Sequence, residues 1–421
     1  MFLWIRLEAK QGGYVLCSQE QGRILLPQNK EDKVKGEIKY IGVDDTRLDL
    51  FEGQYEVPQG VSYNSYVILD EKVAVLDTVD KRCEEEWLKR LKETLQGRKV
   101  DYLILHHLEP DHAGSVQRFL TEFPEVILVG NVKTFQMLPL FLEECPVENT
   151  LVVKEGDALL LGEHRLTFYM APMVHWPEVM VSYEENEQVL FSADAFGKFG
   201  ALSLEGEEDW ACEARRYYFN IVGKYGAAVQ TLLKKLQMLE VKKICPLHGP
   251  ILTENLAYYV DLYDTWSSYR AETKGVLVAY ASFHGNTAAA AEAFVEMLRE
   301  KGCTNVVITD LSRADMAEAI EDAFRYDRMV LAATSYEGGL APAMGEFLQK
   351  LQSKGYQKRT VGIIENGSWA PCAGKAMKEL LSSMKEVEVL EPVVTIRATM
   401  KKADCASLKI LADAVCLKIS E

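Results

Sequence analysis

From about Lys274 onward, five strand-like runs alternate regularly with helical patterns, and this alternation restricts the fold more than any other feature of the chain. The runs GVLVAYA, NVVITD, RMVLAAT, RTVGIIE and VVTIR are continuously apolar or β-branched, as strands covered on both faces are. Strand, helix and strand in strict succession close as a parallel, doubly wound sheet. The stretch from about Glu37 to Pro250 has a different grammar. It holds the short strand-like runs VSYNSYVILD, KVAVLDTV and VDYLIL, and more near Val126–Val129, Leu166–Met170, Val179–Tyr183, Val189–Ser192 and Val241–Cys245. An amphipathic helix is expected between Asp80 and Leu95, with Gly97 placed to end it, and a long helical stretch from Asp209 to Leu239. The chain therefore divides into an extension, 1–36, with an added strand or two; a strand-rich unit, 37–250; a helical linker without Gly or Pro, 251–273; and the doubly wound unit, 274–421.

A chain of 421 residues is too long for one ordinary core, in keeping with that division. Its formal net charge of −16 argues against a nucleic-acid binder, which needs clustered Lys and Arg. The opening MFLWIRLEAKQGG is interrupted by Arg6 and too short for a secretory segment, and no later run approaches a membrane span, so a cytoplasmic protein is expected. The nine cysteines form no C-x-x-C pair and read as buried free thiols in a reducing compartment.

Histidine is scarce, seven in all, and several stand with acids directly after apolar runs. His107-Leu-Glu109-Pro-Asp111-His112 follows VDYLIL; His175 follows LTFYMAPMV; Asp194 follows VLFSA; His248 follows KKICPL. Side chains just beyond strand ends converge on one rim of a sheet, so residues scattered in sequence can meet in space. Four imidazoles and three carboxylates exceed the needs of one tetrahedral zinc and suit two metals about 3.5–4 Å apart, one carboxylate bridging them. Without thiolates, the set suits iron, manganese or zinc. His106 should face away from this rim, and His164, in the polar turn GEHRL, reads as a solvated surface residue.

The cluster resembles that of the metallo-β-lactamase-like αββα sandwich and, within it, the flavodiiron family. Hydrolases of that fold carry H-x-H-x-D-H, whereas this chain has Glu109 at the third position, the flavodiiron pattern. The intervals from His112 to His175 and from His175 to Asp194 agree, as do the flanking words GVDD, DLFEGQY, YNSYVILDEK, HWPE, DAFG and HGPI. The resemblance implies an α/β protein with a metallo-β-lactamase-like sandwich followed by a flavodoxin-like sheet. It implies one iron on His107, Glu109 and His175, a second on Asp111, His112 and His248, and Asp194 between them. Some family members leave the histidine at the His112 position unligated.

In the doubly wound unit, Ser282-Phe-His284-Gly285-Asn286-Thr287 joins the first strand to a helix, and a hydroxyl- and glycine-bearing loop at a helix amino terminus is a ready phosphate cradle. It resembles the FMN-phosphate loop of flavodoxins, which hold the flavin ring with the loops after the third and fourth strands. Those loops here are Thr334-Ser335-Tyr336-Glu337-Gly338-Gly339 and Asn366-Gly367-Ser368-Trp369, with Tyr336 or Trp369 placed to stack on the ring. FMN at the switch point of the sheet is the expectation.

The function so implied is an FMN-dependent di-iron reductase taking dioxygen to water, with nitric oxide to nitrous oxide as a second reaction at the same site. The family assembles as a head-to-tail homodimer or a dimer of dimers. No rubredoxin or flavin-reductase sequence follows residue 421, so a separate donor is expected, a rubredoxin or a reduced deazaflavin. Two rivals use the same residues differently: a dizinc hydrolase with an attached flavodoxin-like unit, and an electron carrier whose sandwich has lost its chemistry.

Overall fold

The structure is a computed structural model that describes residues 16–19, 22–25, 36–143, 149–204 and 209–420. Most of the 1–36 extension lies outside the described residues. Its two described strands, Leu16–Gln19 and Gly22–Leu25, pair antiparallel, and the second joins Ala158–Leu160 in parallel at a sheet edge.

Two sheets face each other in the first half. One runs Leu16–Gln19, Gly22–Leu25, Ala158–Leu160, Arg165–Met170, Met180–Glu184, Val189–Phe191, Lys243–Cys245. The other runs Thr150–Val152, Ile127–Gly130, Tyr102–Ile104, Val73–Leu76, Tyr66–Leu69, Glu37–Tyr40. Ile68, Leu76 and Ile104 of one sheet meet Leu166, Phe168 and Phe191 of the other in a shared core. Val75, Leu103 and Leu128 point outward and are covered by Trp87, Leu91 and Phe119 of helices Glu84–Leu95 and Val116–Glu122. Strands such as Val73–Leu76 are thus buried on both faces, which is why they read as unbroken apolar runs.

The second half is one parallel sheet in the order Val306–Asp310, Thr273–Ala281, Tyr326–Tyr336, Arg359–Asn366, Val387–Val389, with Val394–Ile396 also pairing to Arg359–Asn366 and continuing the fifth position. Numbered along this unit, the order is 2-1-3-4-5, and the direction of winding reverses between Thr273–Ala281 and Tyr326–Tyr336.

Helix Leu256–Ser267 links the halves, and apolar packing continues through the junction, where Phe219 stacks on Phe324 at 4.1 Å. Two arginines of helix Trp210–Tyr217 complete the joint. Arg215 grips Glu272 with two bonds of 2.7 Å and Glu321 with one of 2.8 Å; Arg216 pairs with Asp315 at 2.6 Å and Glu318 at 3.1 Å.

Three expectations need correction. The helix expected from Asp209 to Leu239 is interrupted: Trp210–Tyr217 is α-helical, Tyr218–Val222 is a π turn, Gly223–Tyr225 a 3-10 turn, and Gly226–Leu236 α-helical again. Gly223 and Gly226 weaken the α register there, and tertiary packing of Phe219 and Tyr218 takes over. His164 is buried rather than solvated, because its turn folds back so that Nδ1 meets Asp70 Oδ2 at 2.8 Å. Of the seven cysteines whose side chains are described, only Cys83 and Cys245 are buried; the other five are half-exposed, on helices or loops rather than inside strands.

Candidate metal centre and flavin pocket

Each side chain of the metal cluster is carried to one rim by the end of a strand. His107 follows Tyr102–Ile104, Asp194 follows Val189–Phe191, His248 follows Lys243–Cys245, and His175 lies on the loop between Arg165–Met170 and Met180–Glu184. Glu109 caps the one-turn helix Pro110–Ala113, whose first-position Pro110 gives up no needed N–H. That turn presents Asp111 and His112 on the same rim.

The polar atoms gather in two groups, His107, Glu109, His175 and Asp194 in one, and Asp111, His112 and His248 in the other. His175 Nε2 lies 2.9 Å from Glu109 Oε2 and 3.1 Å from Asp194 Oδ2, and His107 Nε2 lies 3.3 and 3.4 Å from the same two oxygens. On the other side, Asp194 Oδ1 is 3.1 Å from His112 Nε2, and Asp111 Oδ2 is 3.1 Å from His248 Nε2. Asp194 thus sends one oxygen into each group. Separations of this size are those of donor atoms around a shared ion at about 2.0–2.2 Å.

Hydrogen-bond accounting tests whether a cation fits. Both oxygens of Asp111 and of Asp194, both ring nitrogens of His112 and Nε2 of His248 are buried without a hydrogen-bond partner. Native proteins rarely leave such groups unanswered. His248 Nδ1 lies 2.8 Å from the carbonyl oxygen of Ser62, and His107 Nδ1 lies 2.8 Å from Glu178 Oε1. A neutral imidazole that donates from Nδ1 turns a bare lone pair outward at Nε2, and both Nε2 atoms face carboxylate oxygens. Lone pairs opposed across 3 Å call for a positive ion between them.

The same carboxylates draw positive charge into the cluster, either as protons on the rings or as a cation between neutral ones. Burial disfavours the charged form of every group, yet the imidazoles of His107, His112 and His175 hold the Asp194 carboxyl well below the usual carboxylate range. Burial likewise opposes the His175 imidazolium, but Asp194 and Glu109 push it up to about 9. Rings close the walls: Trp176 stands edge-on to His107 at 5.2 Å, and Phe51 and Tyr217 pack on His248 at 5.6 and 5.5 Å.

His106 is turned to the other face of its strand end, with Nδ1 2.6 Å from Asp77 and Nε2 2.8 Å from Ser182 Oγ. Sequence reasoning assigned no role to Glu178. It is fully buried and accepts from the Leu108 N–H besides meeting His107; its signal was its place as the last residue of the word HWPE, three residues after His175.

The three loops of the second half surround a cavity of about 410 Å³ at the strand-finish end of the parallel sheet. Ser282, His284, Asn286, Thr287, Thr334, Ser335, Tyr336, Glu337, Gly338, Asn366, Gly367, Ser368 and Trp369 all line it. Gly285 and Gly339 do not. Gly285 instead supplies the left-handed turn (φ +81°) before helix Asn286–Glu300, and Gly339 pairs back to Tyr336. Ser282 Oγ is buried with no partner and lines the cavity, as a hydroxyl awaiting an acceptor would. Trp369 is 89% exposed and Tyr336 43%, so neither ring is spent on core packing. Phe283, Ala370, Cys372 and Ala398 also contribute. Ala398 could have been anticipated, since it follows the fifth strand onto the same rim.

An ODP family beta lactamase model matches residues 61–249, and a flavodoxin domain model matches residues 277–395. An uncharacterised protein of Methanocaldococcus jannaschii is 30% identical over 379 residues, 88% of this chain and 94% of that one. A nitric oxide reductase of Moorella thermoacetica is 28% identical over 369 residues, 86% of this chain and 92% of its own length. Among solved structures, a rubredoxin oxygen:oxidoreductase from Desulfovibrio gigas shares the fold with a TM-score of 0.84 at 24% identity, over 92% of this chain and 99% of that one. No helix among the described residues is long and apolar enough to cross a membrane.

Proposed function

Because this chain belongs to the flavodiiron proteins, we propose that it is a cytoplasmic FMN-dependent reductase of dioxygen to water, with nitric oxide as a second substrate of the same centre. The observation that carries this reading is the pair of donor groups sharing Asp194. When bound, FMN supplies two electrons and a ferrous pair two more, matching the four that dioxygen requires.

The chain's own residues prepare the centre for that chemistry. His107, Glu109, His175 and Asp194 Oδ2 would hold one iron; Asp111, His112, His248 and Asp194 Oδ1 the other. Three carboxylates among the donors favour the ferric charge and so lower the potential of the site relative to an all-imidazole shell. Glu178 and the Ser62 carbonyl fix the ring planes and tautomers of His107 and His248. Trp176, Phe51 and Tyr217 limit water at the rim. In the other half, Ser282, Thr287 and the amino terminus of helix Asn286–Glu300 would take the FMN phosphate, leaving Tyr336 and Trp369 to the ring.

Geometry also supports a head-to-tail dimer. Glu272, held by Arg215, immediately precedes the strand Thr273–Ala281, whereas the flavin loop begins at Ser282, just after it. Those nine residues span roughly 30 Å. The Glu272 clamp thus sits at the start of that strand and the flavin pocket at its finish, and in a pair of chains turned end for end one pocket would face the other's metals. Electrons would reach the flavin from a rubredoxin, the donor named for the Desulfovibrio gigas protein, or from a reduced deazaflavin.

The test is direct. Purified protein should be yellow with about two irons per chain, and its reduced form should react in anaerobic stopped-flow with dioxygen or nitric oxide. Asp194→Ala should abolish turnover and retain FMN. Full turnover by iron-free protein would overturn the assignment.

A further inference from the structure

We propose that Cys303 and Cys416 form an oxidisable thiol pair whose disulfide staples the carboxyl-terminal helix to the flavin half. Their sulfur atoms lie 2.9 Å apart across a sequence separation of 113. A disulfide needs about 2.05 Å, so less than an ångström of closure is required. Both residues are half-exposed and within reach of a small oxidant.

The surrounding structure already holds the two backbones in place. Leu408, Leu411, Ala412 and Val415 of helix Lys402–Ser420 pack with Phe294 and Leu298 of helix Asn286–Glu300, whose end leads to Cys303. Arg328 Nε donates to the Val415 carbonyl at 3.2 Å. Burial and the neighbouring Cys303 push the Cys416 thiol up, and the ammonium of Lys301, paired with Asp413, offsets only part of this. The other thiols whose side chains are described have different surroundings: Cys83 and Cys245 are buried, Cys212 lies near Glu321 and Glu318, Cys372 faces the Gly339 carbonyl, and Cys405 the Lys401 carbonyl.

The oxidant is a low-molecular-weight disulfide of the glutathione type. The thiolate of Cys303 attacks one of its sulfurs, forming a mixed disulfide and expelling one small thiolate. Cys416, whose thiol is pushed up by burial and by Cys303, then yields its proton and attacks Cys303 Sγ. The second small thiolate leaves, so two protein thiols are oxidised, one small disulfide is reduced, and both protons end on the departing thiols.

The staple bears on the cofactor, because the segment leading into this helix walls the flavin pocket. Ala398 lines the cavity and exchanges two hydrogen bonds with Asn366.

Anaerobically purified holoprotein treated with excess oxidised glutathione should lose two thiols and yield a linked Cys303–Cys416 peptide by mass spectrometry. Its flavin half should melt roughly 5 °C higher and release FMN more slowly, and dithiothreitol should reverse all three changes. Cys303→Ser and Cys416→Ser should each abolish them. A full thiol count after oxidation, a linked peptide joining other cysteines, or a linked protein with unchanged melting and FMN release would overturn the proposal.

Discussion

Glu178 shows how much of a metal centre can sit one bond behind the donor atoms. It is buried and aims one oxygen at His107 Nδ1, so it sets both the plane of that ring and the tautomer that bares Nε2. Glu178→Gln keeps the shape but removes the charge, and iron affinity should fall about 10–100-fold with FMN content unchanged. Chelator competition followed by metal analysis measures this; undiminished iron retention would show that the carboxylate does no positioning. The seven candidate donors were legible in the sequence because His107, His175, Asp194 and His248 stand just after apolar runs and Glu109, Asp111 and His112 follow His107 within five residues. The partners of their far ring nitrogens were not. Ser62 acts through its backbone carbonyl, which leaves no trace in residue type, and Glu178 becomes meaningful only once His175 and His107 are known to be neighbours.

At the level of elements, the flavin loops depend on glycine for space as much as for turning. A Cβ on Gly367 would stand 2.9 Å from Pro371 Cα and 3.1 Å from Ser335 Oγ, so the chain after Arg359–Asn366 would have to move. Ser335 Oγ in turn accepts from the Cys372 and Ala373 N–H groups at the start of the next helix. Gly367→Ala should therefore weaken FMN binding by tenfold or more, a cost of about 1.4 kcal/mol, while metal content is unaffected. Fluorescence titration of the flavin-free protein tests this. The parallel strands were readable because both of their faces are covered. The π turn Tyr218–Val222 was not, since its cause is the packing of Phe219 against Phe324, far along the chain.

For the whole molecule, the joint between the halves concentrates charge where water is excluded. Arg215→Ala would strand Glu272 and Glu321 without their cation, and an orphaned buried pair costs about 3–5 kcal/mol. Urea unfolding should show the loss, and Arg215→Lys should recover only part of it because the two-pronged grip on Glu272 is gone. Lys354 crosses the same joint, donating to the Asn220 carbonyl at 2.7 Å over the Tyr55 ring. Burial, and secondly the like charge of Lys350, pull its ammonium down to about 8 from 10.5. Between those two values the unfolded chain keeps a proton that the folded chain has released, so this residue's contribution to stability rises with pH across that window and is flat below it. Lys354→Met should flatten the rise in denaturation midpoints taken through the window.

In the proposed end-for-end pair, each flavin pocket would serve the metals of the other chain. Specific activity of such a pair should decline on dilution even though every chain stays folded and loaded. By the same logic, mixing a metal-dead chain with a flavin-dead one, each inert alone, should restore turnover, because the sound half of one would serve the sound half of the other.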